Sequence, residues 1–319
     1  MFGKNTTEAN YKTQTLHGGT VGNVQLITGI AKTSDGENLP YKIVLKTQKK
    51  WERMGDPNSW RREYDLYTSD FESLFSCDLR WAKYYHAEIN GDETQTRLWI
   101  EYIDGVSGKN LTLEMFEKAA FELGRFQGRL YKEQPDILKN ISCFGEADAL
   151  KRYYMICREK MMKRVDSVNC EIPDHLIKLL KDKDNKAEKI FFDMEKLPVV
   201  LCHRDFWFTN IFYSNGEIIL IDWDTTGWGY IGEDAAQLIF DETDVDDTEE
   251  YYRKIFPAYF KGFSEYIDIS KFNLSCIWEM IVLKYGEVYI WQMLSESPDE
   301  RNQAVKGLQK IYEMQNIKL

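Results

Sequence analysis

Cysteine is scarce in this 319-residue chain, and its six copies lie far apart, with no C-x-x-C pair and no neighbouring histidine set. That spacing supports neither a zinc site nor a disulfide framework, and reduced core thiols are expected. No run approaches the roughly eighteen apolar residues of a membrane helix, and the opening MFGKNTTEANYK lacks the apolar centre of a signal peptide. The expectation is a cytoplasmic protein with no membrane partner. Positive charge is in deficit, since 41 Lys and Arg stand against 52 Asp and Glu for a formal charge of −11. Nucleic-acid backbones are bound by clustered Lys and Arg, so no nucleic-acid partner is expected and a cationic or neutral one fits better. No internal repeat or low-complexity segment interrupts the chain. With 43% hydrophobic residues it can bury a large core, as one bilobal unit or two tightly joined domains.

The densest chemistry lies in VVLCHRDFWFTNIFYSNGEIILIDWDTTGWGYIGEDAAQLIF, from Val199 to Phe240. A short apolar run, Val199 to Leu201, gives way to a polar loop, His203 to Asn210, then to two apolar bursts, Ile211 to Tyr213 and Ile218 to Ile221. Asn215-Gly216 between the bursts predicts a two-residue hairpin. Such a hairpin brings together two acid-bearing loops, one with Asp205 and Asn210, the other with Asp222 and Asp224. Phosphoryl transfer asks for magnesium held against the phosphates and a carboxylate that orients the attacking hydroxyl. Asp205 is the candidate base, and Asn210 and Asp222 offer hard oxygen ligands for Mg2+. A carboxylate cluster satisfied only by Arg204 and backbone amides is the plainer alternative, but so many acids beside one hairpin repel one another without a cation.

His203-Arg204-Asp205, four residues, Asn210, and then Ile221-Asp222-Trp223-Asp224, resemble the aminoglycoside phosphotransferase and choline kinase family, which shares the protein-kinase fold. The resemblance runs loosely from Leu16 to Phe240. It implies an α+β, bilobal, protein-kinase-like fold, with an N-terminal five-stranded antiparallel sheet and one helix, and a mainly helical C-terminal lobe. The lobes are expected at residues 1–103, binding ATP, and 104–319, carrying the catalytic loop, metal site and substrate pocket.

Along the N-terminal part, strand, glycine loop, strand, turn and strand follow one another from Thr13 to Lys46. Gly19 and Gly22 match the later part of the kinase glycine-rich loop, whose first glycine position falls on His17; a plain hairpin turn is the alternative. No Gly-Lys-Ser/Thr follows, so this is not a P-loop. Lys46, in Ile43-Val44-Leu45-Lys46, resembles the strand lysine that engages the nucleotide phosphates. A helix opening after Asp56-Pro57 carries Glu63 as its partner, with Glu72 as the fallback and a solvated pairing with Arg61 or Arg62 as the alternative. Strands Trp81 to Ile89 and Thr96 to Tyr102 complete the sheet. The second ends in a segment resembling the family's hinge, with the Glu101 C=O and Ile103 N–H turned to the adenine edge.

From Leu113 the period becomes helical, with Gln127 where the family commonly has histidine. Further helices are expected over Ala147 to Val165, Thr248 to Tyr266, Phe272 to Leu294 and Glu300 to Tyr312, while the charged tract Lys178 to Lys189 reads as solvated helix face or loop. Trp207 stands where serine/threonine kinases place a lysine, and no Ala-Pro-Glu segment follows Asp222. Only eleven residues separate Asp222 from Asp234, which leaves no platform for a peptide, so the acceptor is a small hydroxyl compound. Asp234 reads as a cap or loop anchor. The acids from Asp241 to Glu250 line a pocket for an amine-bearing, aminoglycoside-like ligand or simply cap a helix. Trp207, Trp223, Trp228 and Tyr230 form a stacking wall or belong to the core. Choline or ethanolamine kinase and a catalytically inactive binding module are the rival readings.

Overall fold

Asn215 and Gly216 adopt φ of +51° and +87°, the pair of positive values that a tight hairpin turn of matching twist requires. In this computed structural model the residues described are 3–16, 22–53, 56–75, 78–168, 171–241 and 244–317. They group into two compact units, Met1–Gly108 with Asp136–Phe144 and Asn210–Thr225, and Lys109–Pro135 with Gly145–Thr209 and Thr226–Leu319.

The first unit holds a five-stranded antiparallel sheet built from β1 (Thr6–Thr15), β2 (Asn23–Thr33), β3 (Asn38–Lys49), β5 (Tyr84–Ile89) and β6 (Gln95–Glu101), in the order β1-β2-β3-β6-β5. Gly36 at φ +87° closes the β2–β3 turn, and the Asn90 side chain closes β5–β6 by accepting the Thr94 and Gln95 N–H groups at 2.8 Å each. The one helix expected here is α1 (Ser59–Tyr67). One expected strand is divided: β4 (Leu79–Trp81) breaks from β5 at Ala82-Lys83 and pairs in parallel with β10 (Glu217–Leu220) of the hairpin. That hairpin, β9 (Ile211–Ser214) with β10, also carries β7 (Val106–Ser107) on its other side. An aromatic cluster seals this small sheet. Tyr67 stacks on Trp81 at 3.9 Å between centroids, and Phe71 and Phe75 meet Trp223 edge-on at 5.5 and 5.4 Å.

The second unit is mostly helical. Its helices are α2 (Leu113–Glu133), α4 (Ala149–Val168), α5 (Asp174–Asp184), α6 (Ala187–Met194), α7 (Glu233–Phe240), α8 (Thr248–Ser264), α9 (Ser275–Gln292) and α10 (Pro298–Met314), with the short α3 (Ile137–Asn140) belonging to the first unit. A two-stranded ribbon of β8 (Val199–Cys202) and β11 (Gly227–Tyr230) lies among them. Helices α2 and α8 touch backbone to backbone: a Cβ on Gly124 would stand 2.1 Å from the Tyr259 carbonyl oxygen, and one on Gly262 2.1 Å from that of Phe121. Only glycine permits that approach. The tract read as a solvated helix face or loop forms parts of two packed helices, burying Leu179, Leu180 and, just before it, Leu176, with Ile190 and Phe191 at its far end. Asp184 is buried too, held by the Tyr154 hydroxyl at 2.8 Å and Arg158 Nε at 2.7 Å. Its lysines conceal an apolar stripe because they occupy the other face.

Candidate active site

Strand β3 delivers Lys46 and helix α1 delivers Glu63. The Lys46 ammonium meets Glu63 Oε2 at 2.5 Å and forms a second ion pair with Asp222 Oδ1. The other Glu63 oxygen accepts the Trp223 N–H at 3.0 Å, so one helix carboxylate fixes both the strand lysine and the backbone just after Asp222. Burial alone would push the Lys46 ammonium down, but the Asp222, Glu63 and Asp224 carboxylates outweigh it and hold its pKa well above the lysine range. Burial acts on Glu63 as well, and with Asp222 and Asp224 it outweighs Lys46, raising the pKa to about 7. Glu72, the fallback, is exposed in the 3-10 turn Asp70–Leu74.

Asp222 follows β10 with φ +64°, a left-handed conformation that aspartate adopts more readily than bulkier residues. Across the hairpin the Ile221 N–H donates to the Asn210 C=O at 3.1 Å, which sets the two candidate ligands on adjoining ends. Their donors suit Mg2+: one carboxylate and one amide oxygen, beside acids whose charge Lys46 alone does not balance. Among the described residues no closed group of three or more His, Cys, Asp or Glu is poised around a metal. Magnesium commonly takes one or two carboxylates and completes its shell with phosphate and water, so a partial set of this kind fits it.

Arg62, read from sequence only as a surface partner, is 2% exposed and clamps this group. Its guanidinium reaches both Asp56 oxygens at 2.8 and 2.7 Å, the Cys143 carbonyl at 2.6 Å and the Asp224 carbonyl at 2.7 Å. Arg53 pairs with the Asp224 carboxylate at 3.4 Å. No pattern in Arg61-Arg62-Glu63 distinguishes the buried arginine from its half-buried neighbour except its place on the Leu66 side of the helix.

The remaining nucleotide-side residues are less uniform. Gly19 lies outside the described residues. Gly22 is pressed against β3, where a Cβ would come 3.1 Å from the Thr47 carbonyl and 2.6 Å from Gln48 Oε1. Glu101 spends its side chain on Arg80, at 2.6 and 3.2 Å, and on the Lys83 N–H at 3.0 Å. Its own N–H donates to the Lys83 C=O at 2.9 Å, and Ile103 is buried two residues on.

In the second unit the loop after β8 is held from α7. The Asp234 carboxylate accepts the His203 N–H at 2.9 Å, the Arg204 N–H at 2.8 Å and the Gln127 amide at 2.8 Å. Gln127 also donates to the Leu201 C=O at 3.0 Å, joining loop and strand. Burial raises the Asp234 pKa while those donors pull it back. Arg204 sits at φ +65°, a strained value maintained by the surrounding bonds, and its guanidinium binds the Glu146 and Trp228 carbonyls. The Asp205 N–H donates to His203 Nδ1 at 3.2 Å, and Gln237 Oε1 accepts the Phe206 N–H at 3.2 Å. Gln237 escaped the sequence reading; its place three residues after Asp234, on the same helix face, is the signal that could have found it.

Gln237 also borders a cavity of about 290 Å³ in this unit, lined by Tyr153, Asp241, Lys284, Glu287 and Trp291 among others. Glu287 is buried, which raises its pKa, and takes the Trp291 indole N–H at 3.2 Å. The acidic run does not line this cavity beyond Asp241. Asp244, Asp246, Asp247 and Glu250 are exposed before and at the start of α8, and Glu242 lies outside the described residues. Of the four aromatic residues read as a stacking wall or as core, Trp223 and Tyr230, 1% and 6% exposed, belong to the core.

Residues 81–267 match the model of the phosphotransferase enzyme family, APH, and the chain belongs to that family. Its fold is protein-kinase-like, shared with solved kinases along nearly the whole chain. Similar structures include APH(2")-IIia with GDP and kanamycin, at 13% identity and a TM-score of 0.61 over 95% of this chain and 93% of that one. Choline kinase from Cryptosporidium parvum Iowa II aligns at 15% identity and a TM-score of 0.57, covering 95% and 90%. The amicoumacin kinase hAmiN, in complex with AMP-PNP, Ca2+ and Ami, aligns at 16% identity and a TM-score of 0.51, covering 94% and 88%. No curated protein sequence matches the chain. Among the described residues no helix is long and apolar enough to cross a membrane.

Proposed function

We propose that this protein transfers the γ-phosphate of ATP to a hydroxyl group of a small, amine-bearing molecule. The observation that carries the reading is the Lys46 ammonium bound at once by Glu63 and Asp222. A lysine fixed in this way is a ready partner for phosphate oxygens, and Glu63 keeps it extended toward them. Residues 1–103 then form the nucleotide-binding lobe, with Gly19 and Gly22 covering the phosphates and the Glu101 C=O and Ile103 N–H reading the base. Asn210 and Asp222 would hold Mg2+, which neutralises charge on the transferring phosphate when bound. Asp205 takes the proton of the acceptor hydroxyl and aligns its oxygen for attack. The loop bonds from Asp234 and Gln237 keep Asp205 in register without acting on substrate.

For the acceptor, the cavity beside Gln237 supports a compact cation. Two aromatic rings, Tyr153 and Trp291, with Asp241 and Glu287 against the one cation of the lining, Lys284, suit an ammonium group. A volume near 290 Å³ lies at the lower edge of small-molecule pockets. That size favours a choline- or ethanolamine-type alcohol over a multi-ring aminoglycoside. ATP consumption measured across choline, ethanolamine, amino sugars, aminoglycosides and nucleosides tests this, with turnover expected for a small amino alcohol. Silence across the panel, together with no Mg-ATP binding by calorimetry, would leave an inactive binding module.

A further inference from the structure

Strand β1 is the outermost strand of the five-stranded sheet and pairs only with β2. It runs ten residues, TTEANYKTQT, and every one of them is exposed. The sheet's other edge, β5, is six residues long and half-buried at alternate positions. Along β1 the register with β2 is regular from Glu8 to Thr15, after one irregularity between Thr6 and Glu8. Ile30 of β2 turns its N–H to β1, where Asn10 Oδ1 accepts it at 3.0 Å, and the Asn10 C=O accepts the Tyr41 hydroxyl at 2.9 Å. Asn10 thus faces into the sheet. Backbone groups alternate in direction along a strand, so Ala9 and Tyr11 turn their N–H and C=O outward, to the open edge.

An open edge of this length is a template for another strand, and a lysine on it ordinarily guards against pairing. Lys12 is that guard here, but a second copy of β1 answers it. Laid antiparallel and centred on Asn10, two copies set Glu8 against Lys12 on both sides of the two-fold axis, Ala9 against Tyr11, and Asn10 against itself. Glu8 stands opposite Lys32 of β2 and Lys12 opposite Thr28, yet neither forms an ion pair among the described residues. In this register Ala9 and Tyr11 exchange backbone hydrogen bonds, while Glu8 and Lys12 fall at a non-hydrogen-bonded pair, where side chains come closest. Tyr11, 68% exposed, lies beside the small Ala9 of the second copy, with the other Tyr11 ring on the diagonal and within reach. Slipping by one position sets Ala9 against Lys12 and Glu8 against Thr13, so the charges select the centre on Asn10. We infer that β1 is a homodimer interface, through which two copies of this chain join edge to edge in the Asn10-centred antiparallel register. Two short strands bury less surface than stable complexes do, so the association is weak and reversible. It is independent of the phosphotransfer reading and stands or falls separately.

The test is sedimentation velocity of the full chain from about 10 μM to about 1 mM, a range suited to so small an interface, over which monomer gives way to dimer. Glu8→Lys and Lys12→Glu each turn both cross-copy ion pairs into like-charge pairs, and each weakens self-association roughly tenfold. Both side chains are exposed, so neither change disturbs the fold. Mixed together, the two variants associate with each other about as tightly as the unaltered protein does with itself, because every altered side chain then meets its opposite charge. Amide exchange at Ala9 and Tyr11 slows as the dimer forms. A monomer throughout the range, single variants that dimerise as before, or a mixture no tighter than either variant alone overturns the inference.

Discussion

The Asp234 carboxylate accepts the backbone N–H of Arg204 at 2.8 Å, and Arg204 is held at φ +65°. With the His203 N–H and the Gln127 amide on the same carboxylate, one buried acid fixes the conformation that leads into Asp205. Asp234→Asn sets an amide NH2 against donors and should lower stability by about 2–4 kcal/mol, the scale of disrupting a buried charged network. Turnover should fall roughly a hundredfold through misplacement of the loop, while Mg-ATP affinity stays close to that of the unaltered protein. Denaturant unfolding and calorimetry check both, and an unchanged turnover would free the loop from this anchor.

Glu63 gives a pH dependence with a definite sign. Its pKa is raised from 4.5 to about 7, mainly by burial, so the fold prefers the protonated acid. The stability it contributes is full below about 4.5 and is lost as pH rises through about 7. Without nucleotide, the protein should lose up to about 3 kcal/mol across that window by linkage. Glu63→Gln should flatten this part of the profile. Parallel unfolding profiles for the two proteins would show that Glu63 titrates elsewhere.

Glu101 shifts in the opposite direction. Burial works against its charge, but the Arg80 guanidinium and the Lys83 N–H outweigh that and lower its pKa. The contribution is therefore present above the ordinary carboxylate range and lost as pH falls below it. Glu101→Gln should cost about 1–2 kcal/mol at neutral pH, as expected for a half-buried charge-assisted pair, and less in acid. If the base is read through the Glu101 C=O and Ile103 N–H, ATP affinity is barely altered. A loss beyond roughly tenfold, about 1.4 kcal/mol, would assign the Glu101 carboxylate to the nucleotide.

Local signals made much of this fold legible. Asn215-Gly216 announced the hairpin, alternating residues announced the sheet, and Leu113 onward announced α2. The Lys46–Glu63 pair was legible because strand and helix each carried one distinctive charged residue in family order. Arg62 was not, since its burial depends on Asp56, Cys143 and the Asp224 carbonyl, partners brought in from separate stretches. Long-range closure also explains β4: nothing in Leu79-Arg80-Trp81 reveals that it leaves β5 to pair with β10. In α5 the apolar stripe was masked by three lysines, so periodicity gave way to composition.

The three acidic-loop residues should separate by the step they affect. Asp205→Asn should leave Mg-ATP binding nearly intact while kcat falls by roughly a hundredfold to ten-thousandfold, the range for a positioned base. Asp222→Asn is a clean probe of charge, because asparagine accepts a backbone at φ +64° as readily as aspartate does. It removes an oxygen ligand's charge and also releases Lys46 from one of its two carboxylates. Mg-ATP binding itself should therefore weaken, and added magnesium should restore only part of it, since the lysine has also lost a partner. Asn210→Ala removes a neutral ligand and leaves the Lys46 pairs untouched, so its milder defect should be largely recovered in excess magnesium. Calorimetric titration of Mg-ATP at two magnesium concentrations distinguishes these cases. If Asp205→Asn keeps full turnover on a confirmed acceptor, His203 to Asn210 is not the catalytic loop; if Asp222→Asn binds Mg-ATP as tightly as the unaltered protein, the cation is held elsewhere.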